Sequence, residues 1–571
     1  PCEGDHVDRA EPNLLPRPRH LSRGEGTAPA VVTESAIDVS GLPAEGYRVT
    51  IGPSGARIEA ADAAGMAHAQ RTLDQLGTLG RPWPVCEIED WPDFATRGVM
   101  IDVSRDKVPT MATLESLIDQ LASWKVNHVE LYVEHTFAHP GFEEVWAAAS
   151  PFTPAEIEHL DRFCAERFIE LIPQQNTLGH MERYLIHPRF RPMALEPDGF
   201  TWLGFLPRPP ATLDPRRDDA FELATRLVTD WCEVLPRARQ VHVGLDEPWE
   251  LGEDLLGDYV AWMTRLRALP ALVGRDVLVH GDVLASHPDL IPALPSGVTV
   301  TEWGYEANHP WEERLGRLAD AGVARSVMCG TSSWSSLLGR TTNMIGNIAG
   351  AVDAALADGG VDAVVNTDWG DWGHLQHLPV SMPGFAWGAA QTWCRSSNRD
   401  LDLGAALDDH CGEATGPGWG ATMLALGDAH RAWGPMAPNI ASCFLNLFMN
   451  QLPVRGVDRS APEAVRAALD AAVELGDPGP ELSATVELAR LLLDDDEARL
   501  AGDGRIESVP EATRRLLDAG MGDAMEVHRA MWLRRNRPGG LEDSLAWLEN
   551  LRASYRSGRS DPGWAGPLRA L

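Results

Sequence analysis

The stretch Val241-His242-Val243-Gly244-Leu245-Asp246-Glu247-Pro248 reads as an apolar strand that ends in two adjacent carboxylates and is stopped at once by a proline. A β-strand sends successive side chains to opposite faces, so the strand delivers Asp246 to one face. The break at Pro248 lets Glu247 turn onto the same rim. Two carboxylates at one strand end can divide acid and orienting roles if their environments push their pKa values apart. By itself an Asp-Glu dipeptide is common and reads equally as a solvated loop. Its meaning comes from the pattern around it.

That pattern is strands alternating with amphipathic helices, the signature of a parallel α/β architecture. Upstream, strands are predicted over Arg97–Val103, Val126–Val133 and Phe168–Pro173; downstream, over Val277–Val283, Val298–Trp303, Ser326–Gly330 and Ala363–Thr367. Between the first two, Leu114, Leu117, Ile118 and Leu121 repeat at the spacing of a core-facing helical stripe. Thr153-Pro154-Ala155-Glu156 is a capping box with proline at the first helical position, opening a helix through Ile157, Leu160 and Cys164. Eight strands over this span predict a (β/α)8 TIM barrel.

The flanks differ. Tyr47–Ile51 and Ala56–Ala60 flank a Gly52-Pro-Ser-Gly55 turn as a hairpin would, and Ala63–Leu79 reads as one helix, so residues 1–92 form a small α+β domain. The barrel takes 93–395. From 396 to 571 helical stripes take over, at Ala461–Leu475, at Leu482, Val486, Ala489 and Leu493, and at Leu541, Leu545 and Leu548. A helical C-terminal domain with apolar faces can pack on the barrel or on a second subunit, so a homodimer is an expectation. The acidic run Asp494–Glu497 reads as a solvated helix end.

Composition excludes several function classes. The 571 residues carry a net charge of −34, from 83 acidic against 49 basic side chains, which repels phosphate backbones and anionic lipid. No run of ~18 apolar residues predicts a membrane span. The polar start, Pro1 to about Gly26, has no apolar signal core, so a cytoplasmic protein is the simplest expectation. The eight cysteines show no short paired spacing and read as reduced core thiols. Lys107 and Lys125 are the only lysines, and neither looks desolvated, which leaves little room for a Schiff-base mechanism.

Reactive groups in such barrels sit at the C-terminal strand ends. Here those ends read Glu134-His135, Asn176 to His180, Asp246-Glu247, His280-Gly281-Asp282, Glu302-Trp303-Gly304-Tyr305, Ser333-Trp334 and Asp368-Trp369-Gly370-Asp371. Trp303, Trp334 and Trp369 stand beside polar residues, where an indole face suits the C–H face of a pyranose ring. Trp387 and Trp393 read as core. His242 shares the inward parity of Asp246 and reads as a hydrogen-bonded core histidine.

Arg97-Gly-Val-Met-Ile-Asp-Val-Ser104, Ile172-Pro173 to Gly179-His180, and Val241 to Pro248, in that order and spacing, resemble the family 20 glycoside hydrolases, the β-N-acetylhexosaminidases. Gly330–Trp334 and Asn366–Asp371 resemble a bacterial branch of that family with a helical third domain. The helix Ala63–Leu73 resembles the domain preceding the family's barrel. The resemblance implies that Glu247 is the general acid and later the base. Asp246 would hold the substrate's 2-acetamido N–H, so that the acetamide oxygen attacks the anomeric carbon, the substrate-assisted exception among retaining glycosidases. That division needs Glu247 in the less solvated site.

By the same resemblance, Arg97 would hold the sugar's O3 and O4 at the barrel mouth, with His180 supporting that pocket. Trp369 and Asp371 match a tryptophan followed two residues later by an acid that binds the sugar's far edge; that acid is usually Glu. Asn176 stands where the family has Asp, and Leu178 where it has Pro. The family's acetamide-binding tyrosine is missing from Gly330–Leu338, and Tyr305 is the substitute candidate. The implied substrate is a glycan or glycoside carrying terminal GlcNAc or GalNAc, with no cofactor and no metal. Two alternatives remain: a catalytically silent sugar-binding barrel, and a metal-dependent barrel hydrolase using His135, His180, His280 and Asp282. His280 and Asp282 have a two-apart spacing that metal sites use, but a structural role reads better for both.

Overall fold

The computed structural model describes residues 13–560 apart from 79–81, 203, 205, 436–437, 443, 445–446, 448–449, 451 and 453–457. The first unit is a five-stranded sheet of β1 (His20–Ala28), β2 (Val32–Ala36), β3 (Tyr47–Gly52), β4 (Gly55–Ala60) and β5 (Trp83–Asp90), in the order β1-β5-β3-β4-β2. The expected hairpin is β3–β4, antiparallel with Tyr47 opposite Ala60. The helix Ala63–Leu76 starts where the Asp62 side chain accepts from the Gly65 N–H, and buries Ala69, Leu73 and Leu76 on the sheet. Its expected last residue, Leu79, lies outside the described residues.

Eight parallel strands then close a barrel: β6 (Thr96–Asp102), β7 (His128–Val133), β8 (Glu170–Gln175), β11 (Gln240–His242), β12 (Asp276–His280), β13 (Val298–Trp303), β14 (Ala324–Gly330) and β15 (Val361–Asp368). A small hairpin, β9 (Phe200–Trp202) and β10 (Leu206–Arg208), rises from the connection between β8 and β11. β15 closes on β6 in register, Thr367 opposite Met100. Inside, Met100, Tyr132, Met328, Trp334, Val365 and Trp369 form one packed layer, so the barrel is a filled core with its cavity above it. The capping box at Thr153 and Glu156 forms as read, and Leu114, Leu117, Ile118 and Leu121 are all buried.

The fourth strand departs from expectation. It stops at His242, because Gly244 and Leu245 take left-handed φ values of 73° and 76°. A Cβ at Gly244 would run into the Asn176 carboxamide, so only glycine fits. The carboxylates are therefore presented by a tight turn and not by strand parity. The fifth strand also ends early, at His280, and Asp282 opens a short helix.

The helical region packs on the barrel of the same chain. Leu482, Val486, Ala489, Leu493, Leu541, Leu545 and Leu548 belong to one continuous core with barrel residues such as Leu114, Leu117 and Val364. Arg537 ties the two parts together through Glu156 at 2.8 Å and the Val108 carbonyl. The acidic run corrects an expectation: Asp495 and Asp496 are fully buried inside the helix Pro480–Leu500, and Asp495 pairs with an equally buried Arg499 at 2.9 Å. A carboxylate so placed costs several kcal/mol unless paired, which is why the arginine sits one turn on.

Both lysines are desolvated, contrary to expectation. Lys125 pairs with Asp90 at 3.0 Å under the barrel. Lys107 donates to the Gln376 carbonyl at 2.6 Å beside a separate cavity of about 40 Å3, and burial brings it down to about 7. The six described cysteines are buried and free, while Cys2 and Cys443 lie outside the described residues. Among the described residues, no helix is long and apolar enough to cross a membrane.

Candidate active site

Asp246 and Glu247 stand at the C-terminal mouth of the barrel on a strained turn, with φ of 76° at Leu245 and 46° at Glu247. A positive φ at a non-glycine residue costs free energy, and two within three residues persist only where the surroundings fix them. Asp282 provides part of that fixing, since its carboxylate accepts the Glu247 N–H at 3.0 Å. Gly179 provides more, because a Cβ there would meet the Asp246 carbonyl.

One imidazole joins the two acids. His180 Nε2 lies 3.4 Å from an Asp246 oxygen and 3.4 Å from a Glu247 oxygen, and its Nδ1 is 3.8 Å from Glu134. Burial disfavours the imidazolium, but Asp246 above all, with Glu247's hydrogen bond, lifts His180 well above its ordinary pKa. Asp246 goes the other way. Burial opposes its ionisation, yet His280 and His180, the His180 hydrogen bond and Arg105 hold it well below the usual carboxylate range. Its side chain is 8% exposed and that of Glu247 is 38% exposed. The free protein thus reverses the expected order of solvation, with Glu247 the wetter group until something covers it.

These acids line a cavity of about 340 Å3, together with Arg105, His280, Trp303, Tyr305, Trp369 and Asp371. That is the lower end of the size range of small-molecule sites. Tyr305 stacks on Trp303, with ring centroids 5.2 Å apart, and its hydroxyl oxygen accepts from Trp369 Nε1 at 2.8 Å. Burial holds that phenol protonated, so its O–H remains a donor. Asp371 is raised to about 6 by burial, which the nearby Arg105 only partly offsets.

Arg105 is the residue that sequence reasoning missed. Its guanidinium lies 3.1 Å from Asp102, 3.5 Å from Glu134 and 3.8 Å from Asp371, spread over the Tyr132 and Trp369 rings. Arg97 does not fill this role. It sits at the start of β6, at the opposite end of the barrel, 1% exposed, paired with Glu45 at 2.5 Å and donating to the Phe94 and Lys125 carbonyls. The barrel rule held the signal, since a strand's first residue lies at the bottom and only residues past its end reach the mouth.

Two further candidates are corrected. Asn176 is fully buried; it donates to the Tyr132 hydroxyl at 2.7 Å and packs on Gly244, so it supports the acid-bearing turn and is not among the residues lining the cavity of the two acids. Trp334 is buried behind Tyr305, edge-on at 5.0 Å, and braces that ring. His242 is a core histidine as read, accepting from the Gly244 N–H at 3.1 Å. Among the described residues no three His, Cys, Asp or Glu side chains converge as a metal site, and Asp282 spends its carboxylate on the Glu247 amide.

The far wall comes from β13 and the helical region. Glu302 pairs with His309 at 3.1 Å, and Glu306 with Arg340 at 2.9 Å. Glu306 also accepts the N–H of Asn439, which with Pro438 lines the cavity. The C-terminal part of this chain thus contributes directly to the site.

Fold and cavity define a (β/α)8 barrel with a carboxylate pair, a histidine between the two acids and an aromatic wall at its strand ends. Residues 17–91 match domain 2 of glycosyl hydrolase family 20, and residues 94–262 match that family's catalytic domain. Over these residues the chain is similar to glycosyl hydrolase family 20. It is 26% identical over 204 residues to a beta-hexosaminidase of Akkermansia muciniphila, covering 32% of this chain and 41% of that protein. It is 27% identical over 179 residues to hexosaminidase D of Bos taurus, covering 31% and 47%. The chain therefore spans less than half the length of these curated relatives. The crystal structure of the family 20 exo β-N-acetylglucosaminidase of Vibrio harveyi with N-acetylglucosamine shares the fold, with a TM-score of 0.56 at 16% identity over 70% of this chain and 76% of that one.

Proposed function

We propose that the protein is an exo-acting retaining β-N-acetylhexosaminidase that removes terminal β-linked GlcNAc or GalNAc with the substrate's own acetamide as nucleophile. The carrying observation is the pair Asp246 and Glu247 with the His180 imidazole 3.4 Å from each, facing an aromatic wall. The names and catalytic domain of the relatives support the same activity. Glu247 donates its proton to the glycosidic oxygen while the acetamide carbonyl oxygen bonds to the anomeric carbon, closing an oxazolinium ring and releasing the aglycone alcohol. Asp246, held ionised, accepts the acetamide N–H and balances the positive charge on that ring. Tyr305 donates to the acetamide oxygen and fixes its line of attack. Water then adds to the anomeric carbon as Glu247, now a carboxylate, takes its proton, and the anomeric carbon's bond to the acetamide oxygen breaks, reopening the ring and freeing the sugar.

Arg105 and Asp371 are suited to the hydroxyls at the sugar's other edge. Glu247, 38% exposed in the free protein, is shielded from water when the substrate covers it. The test is hydrolysis of chromogenic β-GlcNAc and β-GalNAc glycosides side by side. Turnover of at least one is the expected result, and turnover of neither by folded protein overturns the reading.

A further inference from the structure

Beside the cavity, and outside it, lies a second aromatic cluster that the mechanism does not use. Phe200 and Trp202 come from the β9–β10 hairpin, Trp249 follows Glu247 by two residues, and Trp372 follows Asp371. Phe200 stacks on Trp249, with centroids 6.2 Å apart and planes at 26°. Trp202 bridges Trp249 at 5.9 Å and Trp372 at 6.1 Å. All four rings are half-buried, so each keeps part of its surface in water.

The cluster is built rather than accidental. Trp547, buried in the C-terminal helix Leu541–Ser557, backs Trp372 edge-on at 5.8 Å. Arg208 lies 5.3 Å from the Trp249 ring and 5.8 Å from that of Trp202, and its charge is matched by Glu182 at 3.2 Å. With that charge matched, the surface offers flat apolar faces and, among the described residues, no unpaired cation beside these rings for an anionic ligand. Partly wet tryptophans in contact with one another are the apolar platforms on which pyranose rings lay their C–H faces.

Position supplies the occupant. A general acid must face the leaving oxygen, so the aglycone departs past Glu247. Trp249 stands on that side, edge-on to His180 at 5.1 Å, and His180 touches Glu247. We propose that Phe200, Trp202, Trp249 and Trp372 form a platform for the aglycone sugars of an oligosaccharide substrate. This rests on the hexosaminidase reading above and adds to it a preference for chains over short glycosides, since three successive indoles present more face than one sugar ring covers.

The test uses the full chain with β-1,4-linked N-acetylglucosamine dimer and tetramer, which break the same bond and differ only in aglycone length. Wild type is expected to favour the tetramer about tenfold in kcat/KM, through KM, and Trp202→Ala to erase that preference, one good aromatic contact amounting to about tenfold. Trp202→Phe should recover part of it, and carries the test if the alanine variant melts. Equal rates on dimer and tetramer in wild type, or equal loss on both in the variants, overturn the platform. Calorimetric binding of both sugars to Glu247→Gln separates the two claims. Tetramer binding that depends on Trp202, in a wild-type protein that hydrolyses neither sugar, keeps the platform and defeats the hydrolase reading; binding indifferent to Trp202 defeats the platform alone.

Discussion

Replacing Arg105 separates the two arginines of the first barrel strand's neighbourhood. In Arg105→Ala, Asp102, Glu134 and Asp371 lose a shared guanidinium at 3.1, 3.5 and 3.8 Å. At an effective dielectric of ~20, a unit pair near 3.5 Å is worth ~5 kcal/mol before desolvation is subtracted. Stripping one partner from such a cluster costs about 3–5 kcal/mol net, because the carboxylates are left uncompensated. Arg105→Lys restores the charge but not the planar fork, so stability returns in large part. Binding of sugar hydroxyls does not, and two charge-assisted hydrogen bonds lost correspond to a fall in kcat/KM of roughly 10²-fold or more. Arg97→Lys is expected to do the reverse, loosening the Glu45 contact at the barrel base and lowering the urea midpoint with KM untouched. Urea titrations and kcat/KM on an aryl β-GlcNAc glycoside give both readouts. Full activity in Arg105→Lys, or a raised KM in Arg97→Lys, would refute the assignment of Arg105 to the mouth.

Glu247→Gln should keep the fold and slow turnover of a natural disaccharide by roughly 10²–10⁴-fold, with activated aryl glycosides suffering less; near-wild-type rates on the disaccharide would remove Glu247 from its role. Tyr305→Phe should lower kcat by about 10²-fold with little change in KM, as expected for a donor that acts on developing charge, whereas a loss confined to KM would make it a binding residue only. Asp282 is raised to about 7 by burial and by Asp246, so its folded pKa lies above its unfolded value of 3.8. The stability it contributes is full below pH 4 and lost as pH rises through 7. Asp282→Asn should therefore melt higher than wild type at pH 8–9, by roughly 2–4 °C, and not at pH 4. A variant that melts lower at both pH values contradicts this.

Much of the fold was legible because periodicity is a local signal. All eight barrel strands, the capping box at Thr153 and the apolar stripes of the C-terminal helices follow from residue spacing alone. What spacing does not carry is what meets across the chain. Asp495 reads as solvated until Arg499 and the surrounding core are placed around it. Asn176 and Trp334 stand at strand ends as sugar-binding residues would, yet each is covered by a neighbouring turn or ring. The expected exposure of the two acids inverted for a related reason, since the turn at Gly244 and Leu245 swings Glu247 outward and tucks Asp246 against two histidines. Asn439 was invisible, because nothing local links residue 439 to a barrel mouth built from residues 102–371; the link is its N–H on Glu306. Arg105, by contrast, was within reach of the strand-end rule.

The central claim is that the nucleophile belongs to the substrate, and one comparison tests it most directly: kcat/KM on an aryl β-glucoside with a 2-hydroxyl against its 2-acetamido counterpart. With Asp246 held ionised to orient and balance the acetamide, the 2-hydroxy glycoside should be essentially inert, slower by at least ~10³-fold, because a positioned intramolecular nucleophile is lost outright. Comparable rates on the two glycosides, or a glycosyl ester trapped on Asp246 or Glu247, would contradict the account and leave an ordinary two-carboxylate retaining mechanism in its place.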